Sequence, residues 1–131
     1  MGFFGVIMIS YRKFFKFSSR SSRSEYWYFS TFISFLYMFG LYIENTIMGG
    51  GLLEKLTTGE PIISQPIISL FTTVPLIALT VRRLHDVGKS GWMFFIVLIP
   101  LIGAIWLLVL MLTESNPGEN KYGPNPEEST V

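Results

Sequence analysis

Three long stretches of the chain carry no Asp, Glu, Lys or Arg, so that every charged residue lies outside them. They are residues 26–43, 62–81 and 92–112, with 18, 20 and 21 residues. A helix of about 20 apolar residues crosses the ~30 Å hydrocarbon layer of a bilayer, where a charged side chain at its centre costs about 2.5–3.5 kcal/mol. The pattern therefore predicts an all-α membrane protein with three transmembrane helices, at about residues 24–43, 64–85 and 91–112.

The segments on either side of these spans have a different character. In residues 1–23, apolar side chains recur on one helical face: Phe4, Ile7, Met8, Tyr11, Phe14 and Phe15. Arg12, Lys13 and Lys16 take another face, which predicts an interfacial amphipathic helix. A frayed basic extension is the alternative. Residues 113–131 are polar and rich in Pro, Gly and Asn, and we expect an irregular tail there.

Composition narrows the class of protein and of partner. Half of the chain is apolar and only 15% is charged, against about 25% in an average soluble domain, which argues against a disordered or nucleic-acid-binding chain. The net charge is +1, so that we expect no nucleic-acid partner. The chain has no cysteine and one histidine, and we predict no metal or other cofactor.

The distribution of basic residues predicts how the chain is threaded. Eight of the ten Lys and Arg residues fall before the first span or between the second and third, and two fall in the other two segments. Lys and Arg favour the cytoplasmic side of a membrane. The N-terminus and residues 82–91 should therefore be cytoplasmic, whereas residues 44–61 and the C-terminal tail should lie outside.

A first motif, FSSRSSRSEYW, covers residues 17–27 and opens the first span. Ser22 and Glu25 have the spacing of a capping box. Basic side chains here suit lipid phosphates, and aromatic ones suit the membrane interface. The candidate lipid or partner contacts are Arg20, Arg23, Glu25, Tyr26 and Trp27. The competing interpretation is simply an anchor and a helix start.

A second motif, RRLHDVGKSGW, covers residues 82–92 between the second and third spans. Arg82 and Asp86 are four residues apart and should meet on one helical face. Gly88 suits a left-handed helix end, and Ser90 suits an N-cap. Glu25 could reach Arg82 or Arg83 across two helices. The candidate contacts are Arg82, Arg83, His85, Asp86, Gly88, Lys89, Gly91 and Trp92, unless the segment is only a tight turn.

These motifs favour one functional hypothesis and leave two others open. The leading one is a non-enzymatic protein that contacts phospholipid, a membrane partner or a second copy of itself at a cytoplasmic arginine-rich and aromatic face. The second is an oligomeric channel or transporter component, which Pro75 and Pro100 would suit. The third is a membrane enzyme acting on lipid head groups, with His85 and Asp86 as its acid–base pair.

The motifs also resemble a known family. FSSRSSRSEYW, RRLHDVGKSGW, the following LIPLIGAIWLL, and PGENKYGPNP stand in the order and spacing of the bacterial inner-membrane family called domain of unknown function 805. The family's first motif usually reads F-x-G-R-x-x-R, and Ser19 takes the place of its glycine. The resemblance implies a small multi-pass protein of the bacterial cytoplasmic membrane, without an established activity. With the predicted threading, the PGENKYGPNP tail lies opposite the other two motifs.

Overall fold

The computed structural model describes residues 2–126, and the regular elements in that range are all helices. They are α1 (Phe3–Arg12), α2 (Arg23–Met48), α3 (Leu52–Thr58), α4 (Ser64–Asp86), a 3-10 helix (Gly91–Leu98) and α5 (Ile102–Leu112). The all-α prediction is confirmed. Residue 1 of the predicted interfacial segment and residues 127–131 of the predicted tail lie outside the described residues. From 113 to 126 the tail is irregular, as predicted.

Helices α2 and α4 form an antiparallel pair at the centre of the molecule. Phe29 of α2 and Leu79 of α4 are fully buried in one apolar cluster. Farther along, the hydroxyl groups of Tyr37 and Ser69 lie 2.8 Å apart and join the two helices. Small residues and side-chain hydrogen bonds of this kind let apolar helices associate where water supplies no driving force.

The turn between α2 and α4 is organised by one carboxylate. Helix α2 runs five residues past the predicted end of the first span, which places Glu44 in its last turns. The Glu44 carboxylate accepts hydrogen bonds from Lys55 Nζ at 2.5 Å and from the backbone N–H groups of Ile63 and Ser64 at 3.0 and 2.8 Å. These two amides stand at the start of α4, where helical partners are missing. Helix α4 therefore begins at the predicted residue.

Helix α1 packs across α2, and it is shorter than the sequence predicts. It ends at Arg12, so that Phe14 and Phe15 lie beyond it and do not continue its apolar face. Val6 is buried against the bundle, whereas Phe4 is 79% exposed. An amphipathic N-terminal helix thus forms, and its position in a membrane interface stays a prediction.

Residues 91–112 form a helical hairpin, so the prediction of one continuous helix there is wrong. The 3-10 helix stops before Pro100, and α5 starts after Leu101. Leu101 has φ 65° and ψ −60°, and Ile102 N donates to Pro100 O at 2.7 Å, which is a γ-turn. Beside it, Gly103 touches the Ile96 carbonyl so closely that a β-carbon there would overlap the Ile96 oxygen.

Both ends of this hairpin lie at the same end of the bundle. Its first residue follows α4 by a short turn, and its last carbonyl, on Leu112, accepts a hydrogen bond from Arg23 Nη1 at 3.2 Å. We call this end, where the two arginine motifs meet, the motif end. Among the described residues, α4 is the one helix long and apolar enough to cross a membrane. The three-span prediction is therefore not confirmed. Helix α5 is also too short to cross a bilayer, since it rises only about 16 Å against about 30 Å of hydrocarbon.

Candidate functional site

Asp86, the last residue of α4, is the centre of a buried ionic cluster at the motif end. Its Oδ1 accepts from Arg20 Nε at 3.0 Å, and its Oδ2 accepts from Arg83 Nη1 at 2.6 Å and from the Ser115 hydroxyl. We call these four residues the Asp86 cluster. The side chains of both arginines and of Asp86 are almost fully buried. Removing the carboxylate would leave two guanidinium groups uncompensated.

Arg20 ties the C-terminal tail to this cluster. Its Nη1 donates to the carbonyls of Gly118 and Gly123 at 2.8 and 3.1 Å, and its Nη2 donates to Asn116 O at 2.8 Å. Asn116 N donates in turn to Asp86 O at 2.9 Å. The backbone carbonyls of an irregular segment have no N–H partners from a helix or sheet, and Arg20 supplies hydrogen-bond donors for three of them. These contacts contradict the expectation that the tail lies opposite the arginine motifs.

The first motif folds into a turn that aims Arg20 inward. Ser19 has φ 76°, in the left-handed region where glycine is favoured. Ser21 N then donates to Arg82 O at 3.1 Å, which fixes the turn to the end of α4. Ser22 caps α2, since its Oγ accepts from Glu25 N at 3.3 Å. The predicted N-cap is confirmed.

Arg82 does not pair with Asp86, which corrects the pairing predicted from their spacing. Its Nε donates to Ser21 Oγ at 2.9 Å, and its Nη1 donates to the carbonyls of Lys13 and Lys16 at 3.1 and 2.6 Å. The guanidinium thus serves the irregular chain between α1 and α2. Asp86 instead pairs with Arg83, three residues away, because the Arg82 guanidinium is held by these other acceptors.

Glu25 affects the pKa of a nearby basic residue through its charge. Among the described residues it forms no ion pair with Arg82 or Arg83, so the predicted contact between α2 and α4 is wrong. Its charge nevertheless affects the pKa of Lys13. Burial lowers this pKa most, and the positive charges of Arg82 and Lys16 also lower it, whereas the negative charge of Glu25 raises it. Glu25 is therefore a shared counter-charge for this basic corner.

His85 faces away from Asp86 and is held by three contacts. Its Nδ1 lies 2.9 Å from Ser19 O, its ring stacks on Tyr122 at 4.0 Å, and its carbonyl accepts from Asn120 Nδ2 at 3.0 Å. The predicted acid–base contact with Asp86 is not formed. Within residues 2–126 no group of three His, Asp or Glu side chains could hold a metal ion.

The remaining predicted residues divide between helix ends and exposed surface. Gly88 has φ 77° and ends α4 in the left-handed region, as predicted. Trp27 Nε1 donates to Met111 O at 3.3 Å, and Tyr26 packs between the two apolar clusters. The more exposed of these side chains at the motif end include Lys89 and Trp92.

Sequence reasoning missed the residues of the tail. Asn116, Gly118 and Gly123 bind Arg20 through their carbonyls, Asn120 binds His85, and Tyr122 covers the His85 ring. The signal was available in PGENKYGPNP, the third motif of the resemblance. The assumption of a third crossing removed this segment from the site.

The comparisons with known proteins agree with one another. The family described as "Protein of unknown function (DUF805)" matches residues 14–124. Inner membrane protein YhaH of Escherichia coli (strain K12) is 32% identical over 111 residues, which cover 85% of this chain and 87% of the relative. Inner membrane protein YhaI of the same organism is 34% identical over 113 residues, with 85% and 86% covered. No solved structure matches the chain.

Proposed function

The chain belongs to the DUF805 family, and from this premise we propose that it is a non-enzymatic protein of the bacterial cytoplasmic membrane that acts by contacting phospholipid or a membrane partner at its motif end. The observation that carries the proposal is the convergence of three motifs there. Arg20 of the first motif binds both Asp86 of the second and the Gly118 and Gly123 carbonyls of the third. These contacts fix the chain segments that carry the exposed basic side chains.

The hairpin implies a revised threading. We propose that α4 crosses the membrane and that α2, although less apolar, crosses beside it through its uncharged residues 26–43. The hairpin then enters from the motif end and returns to it. The 11 residues of α5 span about 16 Å, roughly half of the hydrocarbon thickness, and the apolar tip at Leu101 is exposed. With the tail on the cytoplasmic side, nine of the ten basic residues lie there and Lys55 alone lies outside. This distribution supports the revised threading, because it obeys the positive-inside rule better than three crossings do.

Burial divides the basic residues into two groups with different tasks. Arg20, Arg82 and Arg83 are almost fully buried, and their guanidinium groups donate hydrogen bonds within the protein. Other basic side chains remain exposed at the motif end: Arg12, Lys16, Lys89 and Lys121, which we call the basic rim. Each such residue near an anionic membrane surface contributes about 1 kcal/mol of attraction. Contact with lipid is therefore assigned to the basic rim.

A non-enzymatic role is supported by the geometry of the two residues proposed as an acid–base pair. Both Asp86 oxygens accept hydrogen bonds from arginine or serine side chains, and the His85 Nδ1 is held by a backbone carbonyl. A general base needs a lone pair within hydrogen-bond reach of its substrate proton. The Asp86 side chain is fully buried, so no substrate proton comes within reach of it in this arrangement.

The test is the composition of the phospholipid that the full chain retains on purification in mild detergent. We expect the anionic share of this lipid to exceed its share of the source membrane about threefold. Gln substitutions at all four positions of the basic rim should return the share to the bulk value. The matched control, Glu54→Gln with Glu60→Gln at the opposite end, should retain the enrichment. A wild-type chain carrying lipid of bulk composition would contradict the proposal.

A further inference from the structure

All three motifs contribute to one groove beside the hairpin, with a volume of about 420 Å³. It runs between α4, the 3-10 helix and the tail. Its motif residues are Phe17 from the first motif, His85, Ser90, Gly91 and Trp92 from the second, and Tyr122 from the third. We call it the three-motif groove. None of the residues that line it is acidic.

Gly91 lets the 3-10 helix approach α4 closely at the wall of the groove. A β-carbon on Gly91 would stand 2.8 Å from Val81 Cγ1, so any larger residue would force the two helices to shift. The same point lies 3.5 Å from His85 Nε2. Since Ser19 O can only accept, His85 Nδ1 donates the proton, and Nε2 of the neutral ring is left as an acceptor. The groove thus combines aromatic walls with one hydrogen-bond acceptor.

The mouth of the groove is basic and its lower part opens on an apolar surface. Lys121 Nζ lies 5.0 Å from the centre of the Tyr122 ring, and exposed Lys89 precedes Ser90. On the hairpin side, Trp92 is 78% exposed and Phe95 is 52% exposed. A molecule that fits carries negative charge at one end, a hydroxyl donor near it and hydrocarbon at the other end.

We propose that the three-motif groove binds one anionic phospholipid with a hydroxyl-bearing head group. Its phosphate meets Lys89 and Lys121, its head-group hydroxyl donates to His85 Nε2, and an acyl chain lies along Ile77 and the hairpin. The inference rests on the proposed function and names the lipid class and its site. The basic rim attracts anionic lipid in general, whereas the groove selects one molecule.

Native mass spectrometry of the full chain tests the proposal, with phosphatidylglycerol and phosphatidylcholine of identical acyl chains as probes. We expect the first phosphatidylglycerol to bind about tenfold more tightly, which corresponds to about 1.4 kcal/mol. Lys89→Gln with Lys121→Gln should remove most of that preference, while the control Glu54→Gln with Glu60→Gln, which changes two exposed charges at the opposite end, keeps it.

A second variant fills the groove without changing its charge. Ile77→Trp should weaken the binding of both lipids at least fivefold, whereas Leu70→Trp, at an exposed position of the same helix, should bind as wild type. A melting temperature within a few degrees of wild type verifies that each variant is folded.

Several outcomes overturn the inference. They are equal affinity for both lipids, an equal loss in the control Glu54→Gln with Glu60→Gln, or unchanged binding in Ile77→Trp. A lipid-free dimer that Ile77→Trp dissociates would assign the groove to a second copy of the chain. If the groove variants bind normally while purified protein is still enriched in anionic lipid, the groove fails and the proposed function stands. Lipid of bulk composition in the wild type removes both.

Discussion

One carboxylate holds together three separate parts of the chain. Asp86 accepts from Arg20 before α2, from Arg83 on its own helix and from Ser115 in the tail. Buried ions are tolerated only when paired and hydrogen-bonded, because desolvation costs several kcal/mol for each one. The geometry here is complete on the carboxylate side. Losing the carboxylate of Asp86 would therefore remove the counter-charge of both arginines at once.

Asp86→Asn should destabilise the protein and release the tail. The amide leaves two buried guanidinium groups without a counter-charge, a change that costs about 3–5 kcal/mol in comparable sites. We expect a lower melting temperature in detergent and faster tryptic cleavage after Lys121. Glu119→Gln, which changes an exposed acid in the same tail, should leave both unchanged. Equal cleavage rates in Asp86→Asn and wild type would show that the cluster does not retain the tail.

Local signals at single residues were readable from the sequence, whereas partner choice was not. The cap at Ser22 and the left-handed end at Gly88 follow from residue type and neighbours alone. Ser19 shows why a glycine is usual at its position, since its φ of 76° costs a residue with a β-carbon about 1–2 kcal/mol. Which arginine meets Asp86 depends on carbonyls brought in by distant segments, and spacing along one helix cannot reveal it.

At the scale of elements, the hairpin is where the sequence pattern misleads. An uncharged run of 21 residues has the same composition whether it crosses a bilayer once or enters and returns. Pro100 and Gly103 lie in the middle of this run, but a proline in a span more often bends a helix than reverses it. The reversal depends on the γ-turn at Leu101 and on the contact of Gly103 with Ile96, both of which are tertiary features.

The hairpin makes opposite predictions for two neighbouring residues. Gly103→Ala should lower stability by about 1–3 kcal/mol, because its β-carbon overlaps the Ile96 carbonyl oxygen. Leu101→Gly should raise stability by about 1 kcal/mol, because it relieves a positive φ. Thermal unfolding in one detergent measures both, with Ile102→Ala at an exposed site as the control. If residues 91–112 formed one continuous helix, both effects would have the opposite sign. Gly103→Ala would then raise the stability of the protein and Leu101→Gly would lower it.

At the scale of the whole molecule, the sequence predicted the all-α class, the helix pair α2 and α4, and the meeting of the first two motifs at one end. It placed the third motif at the wrong end, because the position of the tail was deduced from the number of membrane crossings. Counting residues 91–112 as a crossing therefore separated the whole tail from the other two motifs. The contacts of Arg20 with Gly118 and Gly123 place all three motifs at one end of the molecule.

The sidedness of the tail tests this account most directly. The chain has no cysteine, so single-cysteine variants can be labelled with a thiol reagent that does not cross the membrane of intact cells. The three positions are exposed: Glu60 at the far end, Lys89 at the motif end and Glu119 in the tail. We predict that Glu60→Cys is labelled in intact cells, whereas Lys89→Cys and Glu119→Cys are labelled only after permeabilisation. Labelling of Glu119→Cys together with Glu60→Cys in intact cells would contradict it.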